Sequence, residues 1–186
     1  NPLLEGDQGH PQHGAYFKQQ AKFARDMQRC RVTASQRAAS PPGARSGAGP
    51  IVTRGGLADL AHVKVQAPLP ETADELCAVA RDLKIDVNEI RLGARATEHE
   101  VKALSASGRL AQYRILHFAT HGLLVGQLSG TSEPGLILTP PEKATEEDDG
   151  YLSAGEIASL KLDADWVILS ACNTAGGGSS GGVGAE

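Results

Sequence analysis

Long apolar runs, cysteines and aromatic side chains are all scarce in this chain of 186 residues. No stretch approaches the roughly 20 consecutive apolar residues that a membrane span needs, and no apolar signal-peptide region opens the sequence. Three cysteines without paired spacing do not indicate a disulfide framework, and they fit a reducing compartment such as the cytoplasm. No cysteine and histidine have the spacing of a zinc site. We therefore expect no membrane partner, no metal and no cofactor.

Charge is distributed unevenly along the chain. Residues 55–186 hold ten basic and nineteen acidic side chains, whereas residues 14–54 hold one acid, Asp26, and eight basic side chains. These basic residues are Lys18, Lys22, Arg25, Arg29, Arg31, Arg37, Arg45 and Arg54. Such a segment could contact nucleic acid, but no interleaved aromatic and basic residues support that reading. We expect a basic, Gly/Pro-rich segment or insertion over 1–66, poorly packed over 14–50 except for a helix at 15–31.

From residue 68 onward, helical and strand patterns alternate. Three pairs of residues three positions apart predict capping boxes at helix starts: Thr72 with Glu75, Thr97 with Glu100, and Ser153 with Glu156. A short strand over 89–92 and two longer apolar strands over 113–120 and 166–171 lie between or after these helices. Strands that alternate with helices pair in parallel through crossovers. The expected fold class is α/β, with a mostly parallel sheet that helices cover on both faces.

Each of the two long strands ends in a residue that can perform chemistry. His121 and Gly122 follow the first strand, and Cys172 follows the second. Because functional groups collect at the carboxyl ends of parallel strands, a thiol and an imidazole would face one cleft here. The imidazole could help to generate a thiolate and then protonate a leaving amine. Backbone N–H groups of Gly122 and Cys172 are candidates for an oxyanion hole.

Structural interpretations compete with each of these assignments, since cysteine and histidine are also common packing residues. We interpret His117 as a hydrogen-bonded core residue and Cys77 as a packing residue, and nothing around Cys30 forms a site. The acidic run at 146–149 could bind calcium, but a solvated loop is the favoured interpretation. The glycine-rich run at 176–182 lacks the Gly-Lys-Ser/Thr ending of a phosphate-binding loop.

Four segments together resemble the CHAT domain family of caspase-like cysteine peptidases. The two signature motifs are HFATHG at 117–122 and LSACNTA at 169–175, and the segments at 133–138 and 150–157 are also similar to the family. The resemblance covers about residues 68–184. It implies the caspase–hemoglobinase fold, with His121 as base, Cys172 as nucleophile and no third acidic member. It also implies a protein or peptide substrate, and tetratricopeptide repeats elsewhere in a bacterial parent chain.

The resemblance also suggests that the domain extends beyond this sequence. The first four residues resemble the end of the family's first core strand, and the family continues past the nucleophile with further strands. We therefore expect a CHAT core at 67–186 that is truncated at both ends, and a 186-residue chain that is inactive by itself. A non-catalytic interaction or signalling module of the same family is the alternative to an endopeptidase.

Overall fold

The computed structural model describes residues 2–30, 51–54, 56–123, 128–129 and 133–170. These ranges contain five α-helices: α1 (Gly14–Asp26), α2 (Leu60–Lys64), α3 (Pro70–Asp82), α4 (Glu98–Ala106) and α5 (Ala154–Ser159). Short 3-10 helices occur at Val87–Glu89, Gly93–Arg95 and Leu110–Gln112. None of the helices in the described ranges is both long enough and apolar enough to cross a membrane.

Eight strands lie in the same part of the chain: β1 (Ile51–Arg54), β2 (Leu57–Ala58), β3 (Ile115–Ala119), β4 (Gly122–Leu123), β5 (Leu128–Ser129), β6 (Gly135–Ile137), β7 (Tyr151–Ser153) and β8 (Trp166–Ser170). β3 pairs with β8 in parallel, and β1 pairs with β5 in parallel. The ladders β1–β2, β4–β6 and β6–β7 are antiparallel. The structure therefore combines helices with parallel and antiparallel strands, and it does not show the mostly parallel sheet that we expected.

The parallel pair of β3 and β8 confirms the two long strands predicted from the sequence. Ile115 pairs with Trp166 at one end of the ladder, and Ala119 pairs with Ser170 at the other. We expected helices to bury both faces of these strands, but four consecutive apolar side chains of β8 are exposed. The exposed fractions are 68% for Trp166, 50% for Val167, 39% for Ile168 and 46% for Leu169. In the described structure, the apolar side chains of β8 are therefore exposed and not buried.

Two of the three predicted helix starts are confirmed. The Thr97 side chain accepts a hydrogen bond from the Glu100 N–H and caps α4. Ser153 and Glu156 form a reciprocal capping box at α5. Each cap satisfies backbone N–H groups that have no partner within their own helix, which explains why these two patterns were reliable.

The predicted start of α3 is wrong. Pro70 occupies the first turn of this helix, where the missing proline N–H costs nothing, so the helix begins before Thr72. The Thr72 hydroxyl lies inside the helix and donates to the Leu69 carbonyl at 2.7 Å. The predicted strand at 89–92 is also wrong, since a 3-10 helix ends at Glu89 and no strand follows it there. The first helix ends at Asp26, whereas we expected it to continue to 31.

One hydrophobic core joins the beginning of the chain to its second half. It consists of Leu4, Ala58, Val63, Ile137 and Tyr151. Three of these side chains precede residue 67, so the described parts of the first 66 residues contribute to the same core as β6 and β7. α1 adds a second contact, because its Phe17 packs against Ala67.

A disulfide joins Cys30 to Cys77, with 5.5 Å between the two Cα atoms. The pair packs against the apolar cluster of Ala73, Ala80, Ile90 and Leu92. Our expectation of unpaired cysteines is therefore wrong for these two residues. The two cysteines are 47 positions apart in the sequence, which is too far for any local spacing pattern to reveal the pairing.

Candidate active site

His121 lies two residues beyond the end of β3, as the sequence predicted, and its side chain is buried. Two hydrogen bonds to Ile137 of β6 hold this position, one from the Thr120 side chain and one to the His121 backbone. The Thr120 hydroxyl donates to the Ile137 carbonyl, and the Ile137 N–H donates to the His121 carbonyl at 3.0 Å. The imidazole is therefore carried by a short connection between two ladders, where its backbone has little freedom to move.

The carbonyl oxygen of Ala67 is the partner of the His121 imidazole, at 2.7 Å from Nε2. Two backbone hydrogen bonds hold the segment that carries this carbonyl: Glu5 N–H donates to the Lys64 carbonyl, and Gly6 N–H donates to the Gln66 carbonyl. Nothing in the sequence marks a backbone carbonyl as part of a site, so this partner could not be predicted.

The Ala67 contact selects the tautomer of His121. A carbonyl oxygen only accepts, so Nε2 must carry the proton that is shared with it. In the neutral imidazole, Nδ1 is then the atom with an available lone pair. Burial lowers the pKa of His121, although the Ala67 carbonyl and the negative charge of Glu71 act in the opposite direction. At neutral pH, His121 is therefore an uncharged imidazole whose Nδ1 can accept a proton.

Gly122 is buried and begins β4. It lies opposite Leu136 in the antiparallel ladder, while the Ile137 N–H donates to the His121 carbonyl. In an antiparallel ladder, hydrogen-bonded pairs alternate with pairs that are not hydrogen-bonded. His121 and Ile137 form a hydrogen-bonded pair, so the next pair, Gly122 and Leu136, is not hydrogen-bonded, and the Gly122 N–H points away from β6. This N–H donor is thus not used by the β4–β6 ladder, as an oxyanion-hole donor requires.

Cys172, the other predicted catalytic residue, lies outside the described residues. The register of β3 and β8 nevertheless bears on it. Ala119 and Ser170 are the last paired residues, and His121 and Cys172 each follow that pair by two positions in the sequence.

His117 is hydrogen-bonded, as predicted. Its Nε2 lies 2.8 Å from the Ser170 hydroxyl and 3.3 Å from a carboxylate oxygen of Glu75. The Ser170 hydroxyl also lies 2.7 Å from the same oxygen of Glu75. We refer to these three side chains as the Glu75 cluster. The sequence misled us about Glu75, because its spacing from Thr72 resembled a helix cap.

The acidic run at 146–149 is only partly the solvated loop that we expected. Glu146 and Glu147 are exposed, but Asp149 is buried and its carboxylate accepts the N–H groups of Ala58 and Tyr151. Across the described residues, no three His, Cys, Asp or Glu side chains are grouped so that they could hold a metal ion.

A buried ion pair supports this loop from α4. Glu98 is buried and lies 2.5 Å from the Lys102 ammonium, which also contacts Glu156 at 2.7 Å. The other carboxylate oxygen of Glu98 accepts the N–H groups of Asp149 and Gly150. Burial raises the pKa of Glu98 to about 7, while the Lys102 ammonium and the Asp149 N–H act to lower it. Because these polar groups are satisfied by one another, we assign the cluster a structural role.

The CHAT domain family model matches residues 4–185 of the chain. The chain belongs to the CHAT domain family. No curated protein and no solved structure is significantly similar to it. The matched range of this CHAT domain includes both segments that we distinguished, 1–66 and 67–186, apart from the terminal residues. It also includes His121, Gly122 and Cys172, and the CHAT family is associated with caspase-like peptidases.

Proposed function

We propose that this CHAT domain has the caspase-like fold and is a cysteine-type endopeptidase, with Cys172 as nucleophile and His121 as general base. Family membership supports the reaction class. The observation that carries the proposal is the 2.7 Å contact between His121 Nε2 and the Ala67 carbonyl. This contact, together with the lowered pKa of His121, supplies a neutral imidazole with Nδ1 as the proton acceptor.

In the proposed reaction, Nδ1 of His121 takes the thiol proton of Cys172 as the sulfur attacks the peptide carbonyl carbon. The carbonyl π electrons move to the oxygen and form a tetrahedral oxyanion. When this intermediate collapses, the C–N bond breaks and the imidazolium returns its proton to the leaving amine. Water then hydrolyses the thioester, with His121 again acting as base, and the free thiol is regenerated.

The oxyanion requires N–H donors that are already in place before the reaction. We assign this role to the backbone N–H groups of Gly122 and Cys172. The ladder geometry supports Gly122, since its N–H points away from β6. Gly122 also lacks a Cβ, which lets a substrate carbonyl approach the backbone closely.

The proposed substrate is a protein or peptide, and the proposed parent is a bacterial cytoplasmic protein with tetratricopeptide repeats elsewhere in its chain. The substrate, the bacterial parent and the repeats rest on the family resemblance, whereas the cytoplasmic location rests on the small number of cysteines. The Cys30–Cys77 disulfide is unusual for a reducing compartment. Alkylation of free thiols at the moment of cell lysis therefore tests the location. If Cys30 and Cys77 are found alkylated, they were reduced in the cell, which supports the cytoplasm. A disulfide that survives this treatment would contradict a cytoplasmic location.

The decisive experiment compares cleavage of a fluorogenic peptide library by full-length wild-type protein with cleavage by Cys172→Ala and His121→Ala. We expect each substitution to remove cleavage, by roughly a thousandfold or more, because the two groups act as a unit. His99→Ala is the matched control, since His99 is exposed on α4. Substantial cleavage by Cys172→Ala would overturn the nucleophile assignment.

A non-catalytic interaction module is the second candidate, and the exposed apolar side chains of β8 favour it. A peptide probe with a thiol-reactive group separates the two candidates. If Cys172 is a nucleophile, the probe labels it faster than free cysteine, and labelling slows in His121→Ala. Equal rates of Cys172 labelling in wild type and in His121→Ala would favour the interaction module.

A further inference from the structure

The Glu75 cluster brings together side chains from three elements. Glu75 comes from α3, His117 from β3 and Ser170 from the last position of β8. The distances are 2.7 Å from Ser170 to Glu75, 2.8 Å from Ser170 to His117, and 3.3 Å from His117 to Glu75. A helix is thus tied to both strands of the parallel pair, at the end where the proposed site begins.

The proton positions exclude a second nucleophile here. A carboxylate only accepts, so the Ser170 hydroxyl donates its single proton to Glu75. His117 Nε2 must then donate to the Ser170 oxygen. In a Ser–His–acid triad the serine donates to the imidazole and the acid holds the opposite ring nitrogen. Here Glu75 lies beside the same nitrogen as Ser170, and His117 Nδ1 is buried without a hydrogen-bond partner among the described residues.

The cluster lies at the last position of β8, the strand that precedes Cys172 in the sequence. Ser170 is two residues before Cys172 in the sequence, so a shift of Ser170 is transmitted along a very short stretch of chain. The apolar side chains of β8 are exposed in the described structure, so side-chain packing adds little to the restraint that the ladder with β3 provides. The hydrogen bonds of Ser170 therefore contribute a larger share of the restraint than they would in a buried strand.

α3 carries two carboxylates that act on described residues of this region. The charge of Glu71, in its first turn, acts on the His121 imidazole. Glu75 lies four residues later, which places it on the same face of the helix, and it holds Ser170. A single helix therefore interacts with His121, just beyond the end of β3, and with Ser170, at the end of β8.

We propose that Glu75 is a positioning residue, which holds the end of β8 through Ser170 and His117 so that the Cys172 thiol meets the His121 imidazole. This inference rests on the proposed peptidase function. Misplacement of a reacting group by about 1 Å costs roughly a hundredfold in rate. Loss of the cluster should therefore lower kcat with little change in KM, because the substrate-binding surface is not altered.

The test compares full-length wild type with Glu75→Ala, Glu75→Gln and Ser170→Ala on one peptide substrate. We expect a roughly 10- to 100-fold loss of kcat in Glu75→Ala and in Ser170→Ala, with KM unchanged within about twofold. Glu75→Gln keeps an amide oxygen that can accept the Ser170 proton, so it should retain most of the activity. Asp82→Ala is the matched control, since Asp82 ends the same helix and its side chain is 78% exposed.

Two readouts separate this role from general stability and from the proposed function. The rate at which iodoacetamide alkylates Cys172 should fall in Glu75→Ala and recover in Glu75→Gln, and hydrogen exchange of β8 amides should rise only in Glu75→Ala and Ser170→Ala. An active wild type with an equally active Glu75→Ala would overturn the positioning role and leave the proposed function intact. A wild type that cleaves no peptide, with alkylation of Cys172 unaffected by His121→Ala, would overturn both.

Discussion

The Nε2 atom of His121 and the carbonyl oxygen of Ala67 lie 2.7 Å apart in the interior of the protein. A backbone carbonyl does not titrate near neutral pH, so it selects the same tautomer of His121 throughout that range. A carboxylate in its place would stabilise the imidazolium and raise the pKa of the histidine. The group that orients His121 therefore carries no full negative charge, so it does not raise the histidine pKa as a carboxylate would. This difference should be visible in the pH dependence of the activity.

The first prediction concerns the acid limb of the pH profile. The base must be neutral to act, and burial lowers the pKa of His121 below its usual 6.5. Activity is therefore retained below pH 6.5 and is lost only as the pH falls through the lowered pKa. We expect the acid midpoint of kcat/KM to lie below 6.5, measured on one peptide with the full-length protein. An acid midpoint clearly above 6.5 would contradict the neutral-base assignment.

The second prediction concerns Glu71, whose negative charge raises the pKa of His121. Glu71→Gln removes this charge and keeps a similar shape, so it should move the acid midpoint of kcat/KM to still lower pH. Asp82→Asn removes one charge from the far end of the same helix and should leave the midpoint unchanged. If both substitutions gave equal shifts, a general charge effect would replace the specific influence of Glu71.

The third prediction concerns Gly6, which has a φ of +70° and lies against Phe17. A Cβ at Gly6 would lie 2.7 Å from a ring carbon of Phe17, and Phe17 packs on Ala67. Gly6→Ala should therefore lower the free energy of unfolding by about 1–2 kcal/mol for the backbone and by about 1–3 kcal/mol more for the clash.

Gly108→Ala is the matched control for that experiment. Gly108 has a φ of +76°, but a Cβ there would meet nothing within 4 Å, so only the backbone cost of about 1–2 kcal/mol applies. Urea denaturation of both variants measures the difference. Equal losses of stability would mean that Phe17 adjusts freely and that the segment carrying Ala67 is not under tight packing control.

The fourth prediction concerns Glu98, whose pKa burial raises from 4.5 to about 7. Between these two pH values the folded protein holds a proton that the unfolded chain has released. The contribution of Glu98 to stability is therefore present below about pH 4.5 and is lost as the pH rises to about 7. One proton corresponds to a slope of at most about 1.4 kcal/mol per pH unit.

The difference between wild type and Glu98→Gln isolates this slope from the other groups that titrate in the same range. We expect the free energy of unfolding of the wild type to fall relative to that of Glu98→Gln as the pH rises from 4.5 to 7. Glu146→Gln, on the exposed part of the acidic loop, should show no such difference from wild type. Parallel curves for wild type and Glu98→Gln would show that Glu98 stays ionised in the folded protein.

The sequence predicted those parts of the fold that depend on local pattern. Thr97 and Ser153 begin helices as expected, and the apolar runs that became β3 and β8 are adjacent and parallel. The position of His121 followed from the same reasoning, because a strand end is a property of the local sequence. Gly108 follows the end of α4 with a left-handed φ, a position where glycine commonly terminates a helix.

Long-range contacts could not be predicted in the same way. The Ala67 carbonyl is a group that every residue possesses, so no residue type announces it. Glu75 has a spacing from Thr72 that fits a helix cap, yet Pro70 starts the helix earlier and leaves Glu75 to bind Ser170, 95 residues away. The burial of β8 was inferred from its apolar composition, which shows only that a surface is apolar and not what covers it.

The bond between Cys30 and Cys77 makes a covalent ring of the chain between them. A single proteolytic cut anywhere inside that ring opens the backbone but separates nothing, so the two products would migrate together on a denaturing gel until a reductant is added. The disulfide also joins the segment that follows α1 to α3, the helix that carries both Glu71 and Glu75. After a cut in the ring, the disulfide would therefore still join the N-terminal residues to the rest of the molecule. These residues include Glu5 and Gly6, whose N–H groups hold the segment that carries Ala67.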